Sequence, residues 1–350
     1  MKEINIESLV RDNIKELKPY SSARSEFRGN ADVFLDANEN SYGSPLDEDF
    51  NRYPDPLQWK LKQELSKIKG VPPQNIFIGN GSDEVIDIAF RIFCEPGKDN
   101  VIICPPTYGM YKVCANINSV EVKEVLLTKD FQLDVQGVLS AINQNTKLLF
   151  ICSPNNPTGN NFQRNDIEFL LNNFSGIVII DEAYINFSSQ KPFLQELTQY
   201  KNIIIMHTLS KAWGLAGLRL GLGFASELII DLFNKVKPPY NINGSSQLLG
   251  IKALERISEV NSNIKTTVEQ RKFLESELKQ FNFVKIIYPS DANFILVKVD
   301  DADKLYHYLL MNRIIVRNRS NEALCENCIR ITIGTQNENE KLLKALKNYE

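Results

Sequence analysis

Lys211 stands in the segment Thr208-Leu-Ser-Lys-Ala-Trp-Gly-Leu-Ala-Gly-Leu-Arg219, directly after the apolar run 202–206. A lysine at the carboxyl end of a strand can lose solvation and have its pKa lowered, as an imine-forming amine requires. Thr208, Ser210 and Arg219 offer two hydroxyls and a guanidinium to one phosphate. Asp181 and Glu182 end the very apolar run 177–180. A carboxylate there is costly unless paired, either with a protonated ring nitrogen or with a lysine or arginine in a buried ion pair. Ser153-Pro-Asn-Asn-Pro-Thr-Gly159 follows a further apolar run, and a turn this rich in Pro, Asn and Gly needs no functional reason by itself. Gly79-Asn-Gly-Ser-Asp-Glu84 follows residues 76–78 and opens an amphipathic stretch over 85–93. Its glycines allow close backbone approach, and free helix N–H groups suit an anion. A plain turn with Ser82 as N-cap accounts for the same residues, and Asp83 and Glu84 satisfy the helix dipole themselves. Ligands in open α/β sheets bind beyond the carboxyl ends of the strands, so four polar motifs at successive strand ends point to one crevice.

The elements that must hold these residues are legible as apolar runs of strand length at 75–78, 101–104, 147–152, 176–180, 202–206 and 218–224, separated by amphipathic stretches. Such continuous runs predict a mostly parallel sheet with helices on both faces. A further strand is expected over 32–36. After residue 240 the pattern changes. Ile257, Val260, Ile264, Val268, Leu274 and Leu278 recur at helical spacing and predict one long helix. Strands over 283–288, 293–299, 314–316 and 328–333, with helices over 304–311 and at the C-terminus, complete a compact α+β unit. The expected organisation is an N-terminal arm (1–30) joining the small domain, a large domain (31–245), and a connecting helix with a small C-terminal domain (246–350).

Composition narrows the chemistry. The 350 residues are 43% hydrophobic and 24% charged with a formal net charge of −3, and no basic block of the kind that neutralises phosphate backbones is present, so nucleic-acid binding is not expected. The N-terminus lacks the apolar core of a signal peptide, and no apolar run approaches the roughly 20 residues of a membrane span, so a cytoplasmic protein without a membrane partner is expected. Six irregularly spaced cysteines fit reduced thiols. Cys325-Glu-Asn-Cys328 has redox or zinc spacing but no second cysteine pair or nearby histidine, and no metal site is expected. Only His207 and His307 are present, both among apolar neighbours, so the chemistry must rest on other groups.

In order and approximate spacing, Asn156-Pro-Thr-Gly159, Asp181-Glu-Ala-Tyr184, Ser210-Lys211 with Arg219, and the late Arg330 in Cys-Ile-Arg-Ile-Thr resemble the motifs of fold-type I pyridoxal-phosphate enzymes, the class I and II aminotransferases. The resemblance spans nearly the whole chain. Pro19-Tyr-Ser-Ser-Ala-Arg24, Asn51-Arg-Tyr-Pro54, Cys94-Glu-Pro-Gly-Lys-Asp99, Pro105-Pro-Thr-Tyr-Gly-Met-Tyr111 and Ser153–Gly159 are similar to the branch acting on histidinol phosphate. The resemblance implies pyridoxal 5'-phosphate as cofactor, Lys211 as the lysine that carries it, and Asp181 as partner of its ring nitrogen. It places Asn156 and Tyr184 at the phenolic oxygen and Tyr108 on the ring. Ser82, Asp83, Thr208, Ser210 and Arg219 would hold the phosphate, with Tyr53 reaching it from a second subunit of a homodimer. Arg330 would bind the substrate carboxylate, and Tyr20 and Arg317 the histidinol-phosphate side chain. Arg319 shares a strand face with Arg317, so either can point inward. The implied reaction passes the amino group of L-histidinol phosphate to 2-oxoglutarate, giving imidazole acetol phosphate and L-glutamate, as in histidine biosynthesis. An aromatic amino-acid aminotransferase and a threonine-phosphate decarboxylase share the pattern and stay open.

Overall fold

Seven strands build the larger sheet: β1 (Ile76–Asn80), β2 (Asn100–Ile103), β3 (Glu121–Glu124), β4 (Thr146–Cys152), β5 (Ile177–Asp181), β6 (Ile203–Thr208) and β7 (Leu220–Phe224). The computed structural model describes residues 4–20, 31–46 and 50–349. The strand order is β1-β7-β6-β5-β4-β2-β3, and only β7 runs antiparallel to its neighbours. Along β5, Ile177 and Ile179 join one core cluster while Val178 and Ile180 join the other. Successive side chains point to opposite faces, so a strand apolar throughout is the mark of a sheet covered on both sides. Helices Ser82–Phe93, Met110–Ile117 and Glu227–Val236 cover one face, and Trp59–Lys69, Val135–Ala141 and Arg164–Asn173 the other.

The smaller sheet comprises β8 (Val284–Ile287), β9 (Phe294–Val299), β10 (Arg317–Asn318) and β11 (Cys328–Thr332), antiparallel in the order β10-β11-β9-β8. Its core takes Leu274 and Leu278 from the long helix Ile257–Leu278, Leu305 and Leu309 from Ala302–Met311, and Leu342 and Leu346 from Gln336–Lys347. That last helix begins with a capping box between Thr335 and Glu338.

Several expectations are corrected. Residues 32–36 form no strand: Val33 and Leu35 are 70% and 82% exposed. Pairing in the small sheet starts at Arg317, after the expected 314–316 segment. Strand β3 was not anticipated, because its Glu-Val-Lys-Glu sequence lies at the sheet edge with one neighbour and few apolar residues to bury. The described part of the N-terminal arm packs on the large sheet's side. Ile6, Val10 and Ile14 enter its core, the Arg11 N–H donates to the Ile92 carbonyl at 3.0 Å, and the Arg11 side chain pairs with Glu95. The expected attachment of the arm to the small domain is therefore not made by these residues. Residues 1–3 and 21–30 of that arm, including Ser21–Arg24 of its motif, lie outside the described residues.

Candidate active site

Strand ends deliver the polar motifs to one place. Register pairs Cys152 with Asp181, Asp181 with Met206 and Thr208 with Gly221, so the ends of β4, β5, β6 and the start of β7 stand side by side. Beyond them lies a cavity of about 540 Å³. It is lined by Ser82, Asp83, Tyr108, Asn156, Asp181, Tyr184, Thr208, Ser210, Lys211, Arg219, Arg317 and Arg330, all expected from the sequence. Five basic side chains (Lys211, Arg219, Arg317, Arg319, Arg330) face three acidic ones (Asp83, Asp181, Glu322), a balance suited to an anionic ligand.

Asp181 is the buried acid of the floor. Burial pushes its pKa up to about 6, although the Tyr111 hydroxyl donates to Oδ2 at 2.7 Å and the Ala183 N–H to Oδ1 at 3.0 Å, both of which lower it. Tyr111 itself stacks on Phe150 at 4.7 Å, which anchors the donor in the core. The Lys211 side chain stays accessible through the cavity mouth. The surrounding walls nevertheless lower its pKa by desolvation, and the Arg330 guanidinium adds to this. Its Nζ lies 5.6 Å from the centre of the Tyr184 ring. Burial raises the Tyr184 phenol above its ordinary value, and the ring is held edge-on to Phe294 at 5.1 Å.

The end of the cavity at Ser82 and Arg219 is made by a close crossing of backbones. Gly81 has φ +79° and serves as N-cap of helix Ser82–Phe93, so Ser82 begins the helix rather than capping it. Gly81 donates to the Arg219 carbonyl at 2.7 Å, and Arg219 is itself in the left-handed region at φ +53°. The first-turn N–H groups of a helix have no intrahelical partners and suit an anion. A Cβ on Gly221 would collide with the Gly81 carbonyl carbon and the Ser82 nitrogen. Gly221→Ala is therefore expected to cost about 3 kcal/mol of stability through forced backbone displacement, read from denaturant melts. Asp83 accepts from the Tyr108 hydroxyl at 3.0 Å and meets Arg219 at 3.5 Å, which holds both residues at this end.

On the opposite wall, register places Arg317 directly across from Arg330, so both guanidiniums share one sheet face. Arg319 continues the ladder, donating its N–H to the Cys328 carbonyl at 2.8 Å, and also lines the cavity. Both Arg317 and Arg319 thus reach it. Arg330 Nη1 donates to Asn156 Oδ1, while Nε of Arg319 and of Arg330 is buried without an acceptor among the described residues. Like charges opposed on a sheet repel, and buried N–H groups left unpaired are costly; a bound anion relieves both.

Two expected residues are not brought to this cavity. Tyr20 is 77% exposed and lines neither it nor the second hollow. Tyr53 stacks on Tyr240 at 4.5 Å in that separate hollow of about 1000 Å³, beside Glu39 and Arg52. The sequence reading assigned no role to Tyr111, although it ends a motif that reading singled out. Cys152, Glu322 and Thr107 also line the cavity; Thr107 sits in the Pro105–Tyr111 motif and Cys152 ends the run 147–152, while Glu322 lies in no motif or apolar run.

Residues 32–346 match the model of the family described as "Aminotransferase class I and II". The chain is 54% identical over 346 residues to a histidinol-phosphate aminotransferase of Bacteroides thetaiotaomicron, covering 99% of each chain. The fold is similar to the crystal structure of the histidinol-phosphate aminotransferase from Clostridium acetobutylicum (TM-score 0.79, 25% identity, 86% of this chain and 91% of that one). It is similar in fold also to the Sinorhizobium meliloti enzyme solved in complex with pyridoxal-5'-phosphate (TM-score 0.79, 23% identity, 90% of each chain). Matched across almost its full length by the family and by a relative of more than half identity, the chain belongs to the class I and II aminotransferases.

Proposed function

We propose that this protein is a pyridoxal-phosphate-dependent enzyme that transfers the amino group of L-histidinol phosphate to 2-oxoglutarate, giving imidazole acetol phosphate and L-glutamate. The observation that carries this reading is the single cavity holding Lys211 and the buried Asp181 between a helix N-terminus and a wall of three arginines. The 54% identical relative supports the choice of substrate.

The donor set fits the cofactor. Asp181 is an anion buried with two neutral donors and, among the described residues, no cation in hydrogen-bond contact, the environment that a protonated ring nitrogen completes. Ser82, Thr208, Ser210 and Arg219 would hold its phosphate, Asn156 and Tyr184 its phenolic oxygen, and Tyr108 its ring face. When bound, pyridoxal phosphate supplies an electron sink for the pair left by the breaking carbon–hydrogen bond. Asp181 keeps a proton on the ring nitrogen, and Tyr111 orients that carboxylate. Lys211 would attach the cofactor and, once the substrate's amino group takes its place, its freed amine would move a proton at the substrate carbon. Arg330, steadied by Asn156, takes the glutamate carboxylate, and Arg317 takes the substrate phosphate.

The protein acts as a homodimer in the cytoplasm. The partner subunit's Tyr53 reaches the cofactor phosphate, and Tyr20 lies near the substrate side chain in the loaded enzyme. The position of the chain's own Tyr53 outside the main cavity supports supply of that residue across an interface. Six free, buried cysteines suit a reducing compartment.

A substrate panel tests the assignment. Histidinol phosphate, phenylalanine, tyrosine and O-phosphothreonine are each offered with 2-oxoglutarate while glutamate and carbon dioxide are followed. Turnover is expected with histidinol phosphate; phenylalanine turnover without it, or carbon dioxide from phosphothreonine, sinks the reading. Arg317→Gln is expected to raise KM for histidinol phosphate roughly 10- to 100-fold, the worth of a charged hydrogen bond, with glutamate affected less than about threefold. An equal loss for both substrates would remove Arg317 from phosphate recognition.

A further inference from the structure

Immediately beside two cavity residues, a second polar chain lies in the apolar interior. Glu182 follows Asp181, and His207 precedes Thr208. Neither lines the cavity, and they are 2% and 4% exposed. His207 Nε2 lies 2.9 Å from Glu182 Oε2, and His207 Nδ1 lies 3.1 Å from Nζ of Lys69, the last residue of helix Trp59–Lys69. The Phe193 N–H donates to the other Glu182 oxygen at 2.6 Å. The imidazole edge packs against Phe224 at 5.2 Å.

The neighbours assign the tautomer. An ammonium has only donors and a carboxylate only acceptors, so Lys69 donates to Nδ1 and the Nε2–H donates to Glu182. The result is a neutral imidazole bridging a cation and an anion. Burial, with the nearby Lys69 charge, pushes the His207 pKa down, in keeping with that state. Burial also brings Lys69 down to about 8. Lys69 and Glu182 are the charged groups that face the ring. A buried charged chain of this kind contributes little net stability compared with apolar packing of the same volume. What it does provide is directional ties between three elements: the end of helix Trp59–Lys69, the end of β5 and the end of β6.

We propose that Lys69, His207 and Glu182 are positioning residues, whose hydrogen-bonded chain fixes the carboxyl ends of β5 and β6 and so aims Asp181 and Thr208 at the cofactor. This rests on the pyridoxal-phosphate reading above. The chain works from the side of the sheet remote from the ligand: each of its two strand members is the neighbour of a cavity residue, and alternate side chains point to opposite faces.

The test uses the full-length protein. His207→Phe removes both hydrogen bonds at similar volume. His207→Gln retains an acceptor for Lys69 and a donor for Glu182. Three quantities are read for each: the melting temperature, the affinity of apoprotein for pyridoxal phosphate by fluorescence titration, and the pH midpoint of the bound cofactor's absorbance change. His207→Phe is expected to weaken cofactor affinity about tenfold, the size of one lost charge-assisted hydrogen bond, and to move the midpoint. His207→Gln is expected to restore both to within about threefold. A lower melting temperature with wild-type affinity and midpoint would overturn the proposal, as would failure of the Gln variant to recover what Phe loses. If His207→Phe does not fold, Lys69→Met, remote from the cavity, carries the same expectations and the same overturning result. Failure of the wild-type protein to bind pyridoxal phosphate would instead count against the cofactor reading itself.

Discussion

Lys211→Ala is expected to lower turnover by at least about 10⁴-fold, the upper range for loss of a positioned acid–base group, while leaving stability within about 0.5 kcal/mol. The two halves of that expectation have separate causes. The Lys211 side chain is accessible, so its removal leaves the packing of the core alone. Its amine, in contrast, has its pKa lowered by the walls around it and stands over the Tyr184 ring within the cavity. Borohydride reduction of the wild-type protein, followed by peptide mapping, is expected to leave a pyridoxyl label on the peptide carrying Lys211. The alanine variant should carry none. A label elsewhere, or full activity without this lysine, would overturn its role.

Asp181→Asn is expected to move stability and activity in opposite directions. In the cofactor-free protein the carboxyl has a pKa of about 6 against an ordinary 3.8. A pKa raised on folding means that the protonated form favours the folded state. That contribution is fully present below about pH 3.8 and is lost as pH rises through 6. At neutral pH the buried anion therefore costs about 3 kcal/mol. The amide avoids this cost but loses one acceptor, at about 1 kcal/mol, so the apoprotein should gain about 2 kcal/mol near pH 7 and show a flatter pH profile. Turnover should nonetheless fall roughly 10²- to 10³-fold, as expected when a buried charge pair loses one partner. Melts across pH 4–8 on the apoprotein, beside kcat on the loaded enzyme, check both. A variant that is destabilised at pH 7, or one that keeps wild-type turnover, contradicts the assigned role. Cofactor binding near pH 5 should release a proton from wild-type Asp181 and none from the variant, seen as a buffer-dependent heat by calorimetry.

The strands that carry the site were readable because they are buried on both faces. Ile177–Ile180 and Ile203–Met206 have no polar side to confuse them with amphipathic helix. The same physics hid β3, whose edge position asks little of its residues, and produced the false strand at 32–36, where Val33 and Leu35 look like core but stand in solvent. Lys211, Asp181 and the Gly-rich turn were legible because polar groups at apolar strand ends are conspicuous. Tyr111 was not, because its contribution is a hydrogen bond to Asp181 across 70 residues of sequence. The ambiguity between Arg317 and Arg319 came from their i, i+2 spacing, which puts both on one strand face; both line the cavity, Arg317 directly across from Arg330. Tyr20 and Tyr53 were read from motif likeness alone, and a single chain does not gather them.

The crossing of Gly81 and Ser82 over Gly221 sets a timetable for a growing chain. The helix N-terminus that belongs to the anion end leaves the ribosome long before Arg219 and Gly221, on which it rests, and Arg330 emerges later still. Until β7 is made, β1 has no neighbouring strand among the described residues, since β7 alone joins it to the rest of its sheet. A chain that has been made only as far as β6 therefore carries the floor and one end of the cavity without the arginine wall that closes it.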